Sequence, residues 1–331
     1  MVSPKIDWES QIGRRLRLRD LHVFFTVVQC GSMAKAAAQL GVSQPTVSEV
    51  IADLEHTYGV RLLDRSRQGV QPTIYGDALL KRSVAAFDEL KQSSRDIAFL
   101  ADPTIGELWI GCQGSVVVAV LPTVAKRFSE LYPRVVLHVE ELPAPAAQRA
   151  ALRDRKCDLI LTRLVQPPLT DEEDLHVEVL YEDPMIVVAD IRSRWARRRK
   201  LDLAELVNEP WVYGEPHSTI YKGLAEAFRV HSLDVPNAAL VTQSVALRLH
   251  LVANGPYLTA FARSTLTPHA ERYGLKELPL DLPHRPWPVV LATLKNRTLS
   301  PLVERFIACA REVAKSIVKT REPHGAKSKV V

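Results

Sequence analysis

The sequence predicts an α/β protein with a small helical domain at its N-terminus, and three observations lead to this prediction. The 331 residues suffice for two separately folded domains, and a content of 47% hydrophobic and 24% charged residues is ordinary for a globular protein. Apolar residues at helical spacing dominate the first hundred positions. Short β-type runs alternate with helical stretches in the remainder, which is the pattern of an α/β fold.

The first segments predict three helices in close succession. Leu21, Phe24 and Val27 recur at the spacing of one helix face, and Gly31 ends that helix. A second, alanine-rich helix covers residues 33–40, and a third covers about 43–58 with Val47, Ile51 and Leu54 as its buried stripe. Two short helices joined by a tight glycine-containing turn form a helix-turn-helix, so this segment is predicted to bind DNA.

The third helix leaves a polar face free for base contacts. Gln44 can pair with adenine, Ser48 can bond a base or a phosphate, and Pro45 and Thr46 offer apolar contact to a thymine methyl group. Because this face carries no positive charge, basic side chains on other elements must neutralise the phosphates of the DNA backbone. The predicted DNA-binding residues are Ser32, Lys35, Ser43, Gln44, Pro45, Thr46, Ser48, Glu49, Arg65 and Arg67.

A small hairpin and a long helix are predicted next. Residues 60–70 contain an apolar pair, a polar turn ending at Gly69, and another apolar residue, which predicts a wing. Thr73 then caps a helix of about 28 residues, or about 42 Å. A lone helix of that length has little to pack against except a second copy. The predicted dimerisation seam comprises Leu80, Val84, Phe87, Leu90 and Ile97.

The remaining residues predict an α/β fold with largely parallel sheets. Helices are expected over residues 121–131 and 146–155. The predicted strands are residues 108–112, 135–140, 158–162, 185–189, 211–213, 239–242, 257–261 and 289–293.

Composition and motif content indicate which classes of function the sequence permits and which it argues against. The net charge of +5 permits a nucleic-acid partner without requiring one. The four cysteines form no CxxC pair and are expected to be reduced core residues. The sequence contains no GxGxxG, GxxxxGK[ST], GxSxG or HExxH motif, so we expect no catalytic residue, no metal site and no cofactor. Without a signal peptide or a membrane-spanning run, the expected location is the cytoplasm, with no membrane partner.

The segment GSMAKAAAQLGVSQPTVSEVIADLEHTYGVRLLDRSRQGVQPTIYG is similar to the winged helix-turn-helix of LysR-type transcriptional regulators. The features that match are Ser32, Ala36, Ala37, Leu40, Ser43, Gln44, Pro45, Val47, Ser48, Ile51, Leu54, Glu55, Gly59, Leu62, Leu63, Arg65, Thr73 and Gly76. Thr46, Glu49 and Val50 depart from the family pattern, and at Leu63, although it is among the matching positions, the family frequently has Phe. Because Glu49 can accept from cytosine N4 but repels phosphate, we expect an altered half-site preference.

The resemblance implies the organisation and partners of the whole chain. It implies a two-lobed effector domain like that of type 2 periplasmic binding proteins, with a small organic effector of unknown identity between the lobes. It also implies homodimers or homotetramers that bind interrupted palindromes in double-stranded DNA and act on RNA polymerase. The expected segments are a flexible basic extension (1–17), a winged helix-turn-helix (18–76), a linker helix for dimerisation (77–103), an effector domain (104–318) and a disordered basic tail (319–331).

An effector pocket at strand ends is also implied by the resemblance. Backbone N–H groups and Ser115 after the first strand can hold an anion, and Arg163 can pair with a carboxylate or phosphate. Phe261 can form a wall of the pocket. The full set of predicted effector-binding residues is Gln113, Gly114, Ser115, Thr162, Arg163, His217, Ser218, Thr219, Gln243, Ser244 and Phe261.

Several alternatives stay open on the sequence alone. An enzyme or solute-binding protein with an added helical hairpin would lack salt-sensitive binding to duplex DNA. A ligand-independent architectural DNA protein would gain no stability from a small molecule. The arginine-rich residues 192–200 fit either a second nucleic-acid patch or a solvated surface. The effector, the operator, the target genes and the direction of regulation also stay open.

Overall fold

The computed structural model describes residues 16–66, 69–164, 174–283 and 286–321, without the side chains of 319–321. The chain divides into two compact units, residues 1–94 and 95–331, and each is described by itself. No helix within the described residues is both long and apolar enough to cross a membrane. The predicted N-terminal extension lies outside the described residues except for its last two positions. A helix continues to Arg321, so the tail predicted to be disordered from residue 319 begins as helix.

The described part of the first unit contains a helical trio, a hairpin and most of a long helix that continues into the second unit. Their bounds are α1 (Leu18–Cys30), α2 (Met33–Leu40), α3 (Gln44–Tyr58), β1 (Leu63–Ser66), β2 (Gly69–Pro72) and α4 (Ile74–Ala101). β1 and β2 pair antiparallel, as expected for a wing. The predicted helix-turn-helix, wing and long helix are therefore confirmed.

Caps and a small apolar core fix the helical trio. Ser32 and Ser43 cap α2 and α3, because their hydroxyls accept from the backbone N–H of Lys35 (3.4 Å) and Thr46 (3.2 Å). Gly41 ends α2 with a φ of 66°, a left-handed conformation that favours glycine. The buried apolar side chains of the trio include Phe24, Val27, Ala36, Ala37, Val47, Ile51 and Leu54. Small residues at positions 36 and 37 let α2 approach its neighbours closely.

Two polar side chains attach the wing to the helices. Glu55 of α3 accepts backbone hydrogen bonds from Leu62 (2.8 Å) and Leu63 (3.2 Å) at the start of the wing. The Thr73 hydroxyl donates to the Arg61 carbonyl (2.7 Å) and accepts from Gly76 N–H (3.1 Å). Thr73 therefore caps α4 as predicted and also fixes it to the segment just before the first wing strand.

The second unit has two lobes. Lobe 1 (residues 104–164, 174–183 and 286–321) contains β3 (Ile105–Cys112), α5 (Gly114–Val117), α6 (Leu121–Leu131), β4 (Arg134–Glu141), α7 (Pro145–Arg153), β5 (Leu159–Arg163), β6 (Leu175–Asp183), β12 (Trp287–Leu294) and α12 (Pro301–Arg321). Lobe 2 (residues 184–283) contains β7 (Met185–Asp190), β8 (Trp211–Tyr213), α8 (Thr219–Val230), β9 (Ala238–Val241), α9 (Val245–Asn254), β10 (Thr259–Ala262), α10 (Arg263–Leu266), α11 (Ala270–Tyr273) and β11 (Leu275–Glu277).

The sheets are mixed, so the prediction of largely parallel sheets is wrong. In lobe 1 the strand order is β4-β3-β5-β12-β6; β3 runs parallel to β4 and β5, whereas β12 runs antiparallel to β5 and β6. The reason is the double crossing between lobes. β6 leaves lobe 1 at Asp183, and β12 re-enters beside it at Trp287, so β12 must run in the opposite direction.

Lobe 2 contains two small sheets. The order β10-β7-β11 is antiparallel throughout, and β8 pairs with β9 in parallel. β6 and β11 are strands that the sequence analysis missed. Each lobe has its own apolar core, built around Phe128 and Phe306 in lobe 1 and around Trp211 and Phe228 in lobe 2.

We expect Gly76→Ala to destabilise the first unit. A Cβ at position 76 would lie 2.1 Å from the Leu62 carbonyl oxygen and 3.1 Å from Pro72 Cβ, so α4 would have to move away from the wing. The expected loss is about 1–3 kcal/mol, measured by thermal unfolding of the full chain. Gly41→Ala is the comparison, because no atom lies within 4 Å of its Cβ position and only the positive φ opposes it. Unchanged unfolding of Gly76→Ala would contradict the close approach.

Candidate functional site

The N-terminal turn of α3 presents a polar surface to solvent. Gln44, Pro45 and Glu49 are exposed, and Thr46 and Ser48 are half-buried. On the opposite side of the helix Val47 and Ile51 have no exposed surface. The polar residues predicted to contact bases are therefore accessible, because the apolar stripe of the helix faces its domain.

Some of the predicted DNA-binding residues have structural roles. The Ser43 hydroxyl accepts from the Thr46 backbone N–H and lies at hydrogen-bond distance, 2.8 Å, from the Thr46 hydroxyl. The Ser32 hydroxyl accepts from the Lys35 backbone N–H as the cap of α2. Lys35 on α2 and Arg65 on β1 are exposed cations. Arg67 lies outside the described residues.

The seam predicted on α4 divides into two parts. Leu80 packs against the apolar core of the first unit, and the Phe87 ring centroid lies 6.3 Å from that of Phe25 and 5.9 Å from that of His22. Val84 is half-buried. Leu90 and Ile97 are 46% and 68% exposed. The expectation that this whole helix lacks a packing partner in its own chain is therefore wrong for Leu80 and Phe87, which contact α1 and its core.

Three of the predicted effector residues meet where the chain leaves lobe 1. The Arg163 guanidinium donates to Asp183 (2.7 Å) and Ser264 (3.1 Å) through Nη2, and to the Ser115 hydroxyl through Nη1. The Gln113 side-chain carbonyl accepts from the Arg163 backbone N–H at 3.4 Å. Ser264, at the start of α10, also donates its N–H to Asp183 (3.0 Å). This cluster joins the end of β5 to the hinge and to lobe 2.

This geometry corrects two predicted roles. Arg163 was expected to receive an effector carboxylate, but its side chain is 2% exposed and Asp183 already neutralises its charge. The turn at Gly114 and Ser115 was expected to hold an anion. Instead, the Glu141 carboxylate reaches within 2.2 Å of a Cβ position at Gly114, and Ser115 is bonded to Arg163. A second anion at this turn would be repelled.

Two more predicted residues are buried elsewhere. Thr162 lines a small, mostly apolar cavity of about 70 Å³ between α7 and the lobe 1 sheet, together with Gln148 and Ile160. Phe261 is 1% exposed and belongs to an apolar core of lobe 2. It is therefore a core residue rather than an exposed pocket wall, because its ring is covered by packed side chains.

The predicted residues of lobe 2 lie at two helix N-termini. Ser218 caps α8 by accepting from Tyr221 N–H (3.3 Å), and Ser244 caps α9 by accepting from Leu247 N–H (3.2 Å). His217 and Gln243 are exposed, whereas Thr219 is buried. Both serines use a lone pair for capping and keep the hydroxyl proton available as a donor.

Asp183, Ser264 and Arg248 are not among the residues predicted from the sequence. Nothing in the local sequence marks Asp183 or Ser264, since their roles arise from contacts between residues far apart in the chain. Arg248 does carry a signal: it lies between Val245 and Leu249 on the buried face of α9, where an apolar residue is normal.

The thiols and the basic cluster have ordinary structural explanations. Burial raises the pKa of Cys112 to about 12 and that of Cys157 to about 11, so both are unreactive thiols, as predicted. In residues 192–200, three arginines are ion-paired: Arg192 with Asp190, Arg194 with Glu209, and Arg198 with Glu205. Local carboxylates thus neutralise much of this cluster.

Two family models match most of the chain. "Bacterial regulatory helix-turn-helix protein, lysR family" matches residues 18–77, and "LysR substrate binding domain" matches residues 101–315. The transcriptional regulator TdcA of Escherichia coli is 29% identical over 252 residues, which cover 76% of this chain and 79% of TdcA. CfxR of Cupriavidus necator is 30% identical over 222 residues, which cover 67% of this chain and 68% of CfxR.

Solved structures have a similar fold. A full-length OxyR variant from Pseudomonas aeruginosa superimposes with a TM-score of 0.59 at 20% identity, covering 91% of this chain and 95% of that one. Full-length CbnR in complex with its target DNA gives a TM-score of 0.58 at 19% identity, covering 90% of this chain and 100% of that one. The expected combination of an N-terminal DNA-binding domain with a two-lobed α/β domain is confirmed.

We expect Arg163→Met to destabilise the second unit by about 3–5 kcal/mol, because it would leave the fully buried Asp183 carboxylate without its counter-charge. Denaturant unfolding of the full chain measures this loss. The double variant Arg163→Met/Asp183→Asn should recover part of it, since no unpaired charge remains. Equal stability of the wild type and the single variant would show that the pair does not hold the lobes.

Proposed function

This chain belongs to the LysR family of DNA-binding transcriptional regulators, and from that premise we propose how its own residues bind DNA and respond to an effector. We propose that the N-terminal turn of α3 enters the major groove of a duplex. The observation that carries this proposal is the division of α3 into an exposed polar face and a fully buried apolar stripe. Because its apolar stripe faces the domain, α3 presents the polar side chains of its first turn without rearrangement.

The base contacts and the phosphate contacts come from different elements in this proposal. Gln44 reads adenine with its side-chain amide, and Glu49 accepts from cytosine N4. Because Glu49 is an acid, the phosphate charge is met by the exposed Lys35 and Arg65 on either side of α3 in the sequence, and by Arg67. Ser32 and Ser43 act indirectly, by capping the helices that carry these groups.

The effector response is proposed to act through the hinge. Lobe 1 and lobe 2 are joined by two chain crossings and by the contacts of Arg163 with Asp183 and Ser264. A small molecule that binds one arrangement of the lobes better than another shifts the population toward that arrangement. The shift changes the affinity for DNA, and the size of that change is the coupling free energy between the effector site and the DNA-binding site.

Assembly and location complete the proposal. We propose a homodimer, or a tetramer of such dimers, paired along the exposed residues Leu90 and Ile97 of α4 and bound to an interrupted palindrome. Such an assembly would act in the cytoplasm on RNA polymerase, as a regulator rather than an enzyme. The family to which the chain belongs supports this part of the proposal.

We expect Gln44→Ala to weaken binding to the cognate duplex by about 1–3 kcal/mol while leaving non-specific binding unchanged, because one base contact is lost. The duplex is obtained by selection from random sequences, and affinity is measured by gel shift over a series of salt concentrations. Arg65→Ala is the comparison. It should weaken both kinds of binding and flatten the salt dependence, since it removes a phosphate contact. Identical effects of the two variants would contradict the proposed division of roles.

We expect Ile97→Glu to lower the oligomeric state. Ile97 is 68% exposed on α4, so a carboxylate there costs the isolated chain little but would have to be buried in a paired seam. Sedimentation velocity measures the change. Ala98→Glu is the control, because it introduces the same charge at an exposed position of the same helix, about a quarter turn away from Leu90 and Ile97. An unchanged sedimentation profile for Ile97→Glu would exclude pairing along this residue.

A further inference from the structure

Three arginines with less than a tenth of their surface exposed lie among the described residues: Arg163, Arg248 and Arg297. Two of them pair with an equally buried aspartate, Arg163 with Asp183 at 2.7 Å and Arg297 with Asp158 at 2.9 Å. Arg248 has no carboxylate partner within the described residues. A buried cation without a counter-charge is unfavourable, so Arg248 is not explained by the packing of the second unit alone.

The contacts of Arg248 orient its guanidinium without neutralising it. Nη1 donates to the Ala260 carbonyl at 3.2 Å, and the guanidinium carbon lies 4.6 Å from the Phe261 ring centroid. Nε is buried and has no hydrogen-bond partner. Burial lowers the pKa of Arg248 to about 10, so the group is still charged at neutral pH. What distinguishes Arg248 from the other two arginines is therefore a fixed, desolvated cation whose charge no described carboxylate compensates.

The guanidinium lies beside the N-terminus of α8. A Cβ at Gly214 would lie 3.2 Å from the Ser218 hydroxyl and 3.7 Å from Arg248 Nη1, so both groups flank the same point. Ser218 caps α8, whose 12 residues direct the positive end of their dipole to this place. A side chain at position 214 would occupy the space between the hydroxyl and the cation. The glycine, the hydroxyl, the helix end and the guanidinium together form a positive site.

We propose that Arg248 receives the negative charge of the effector, which is a small oxyanion carrying a carboxylate or a phosphate group. The anion binds in lobe 2 beside Gly214 and Ser218, and it supplies the counter-charge that Asp183 and Asp158 supply to the other two buried arginines. This inference rests on the proposed effector function and names its ligand class. A bound anion removes the penalty of the buried cation, so binding stabilises the lobe.

The experiment is a thermal-shift titration of the full chain at constant ionic strength. Chloride is the reference, and the probes are inorganic phosphate, acetate and succinate, which separate a phosphate ligand from a carboxylate ligand. The variants are Arg248→Met and Arg248→Lys, with Arg229→Met as the control. Arg229 is an exposed arginine of α8 paired with Glu226, so its loss changes the net charge equally.

We expect at least one probe to raise the Tm of the wild type and of Arg229→Met in a saturable manner. Arg248→Met should lose this shift completely, and its Tm in chloride should equal or exceed that of the wild type, because the uncompensated charge is gone. Arg248→Lys should keep a reduced shift. The apolar substitution is thus expected to leave the anion-free protein at least as stable while abolishing the response to anions, which loss of a merely structural arginine would not do.

Two results would overturn the proposal: an anion-induced shift in Arg248→Met equal to that of the wild type, or no shift by any probe in the wild type. A gel shift with duplex DNA on the same samples separates this failure from failure of the proposed function. Salt-sensitive duplex binding without any anion response would refute the role of Arg248 only. If the wild type shows no salt-sensitive binding to duplex DNA, the proposed DNA-binding mode is refuted instead.

Discussion

An arginine and an aspartate with almost no exposed surface meet where the chain passes from lobe 1 to lobe 2. Arg163 reaches Asp183 and Ser264 at once, and Ser264 bonds Asp183 in turn. The geometry of the second unit depends on this cluster, because it fixes the end of β5, the exit of β6 and the start of α10 against one another. Buried charges with their hydrogen-bonding partners in place tolerate little displacement.

The three buried arginines among the described residues of the second unit show how the same residue serves different purposes. Arg163 and Arg297 each face an aspartate, so their charges are matched within the fold. Arg248 has a carbonyl and an aromatic ring for neighbours, which orient a guanidinium but leave its charge uncompensated. The difference is one of electrostatics rather than of burial. The charges of Arg163 and Arg297 are compensated within the fold, whereas the charge of Arg248 is available to a ligand.

The first unit follows a simpler constraint. Its short helices bury one apolar stripe each, and caps, left-handed glycines and the Glu55 and Thr73 bonds determine where the elements start and stop. Such features are local in sequence, so the helix-turn-helix, its wing and the exposed face of α3 were predictable from residue spacing. The roles of Leu80 and Phe87 were not, because a heptad-like pattern does not distinguish packing on the same chain from packing on a second copy.

Residue spacing and residue type were enough to predict the elements whose signals lie within a few residues: the caps of α2 and α3, most strands of both lobes, and the residues at the start of α3 that remain exposed. Long-range contacts in the fold set the antiparallel course of β12, the pairing of Arg163 with Asp183, and the isolation of Arg248 from any described carboxylate. These features join positions far apart in the chain. Local propensity carries no information on such contacts, whereas charge compensation in a buried site depends entirely on which distant residue arrives there.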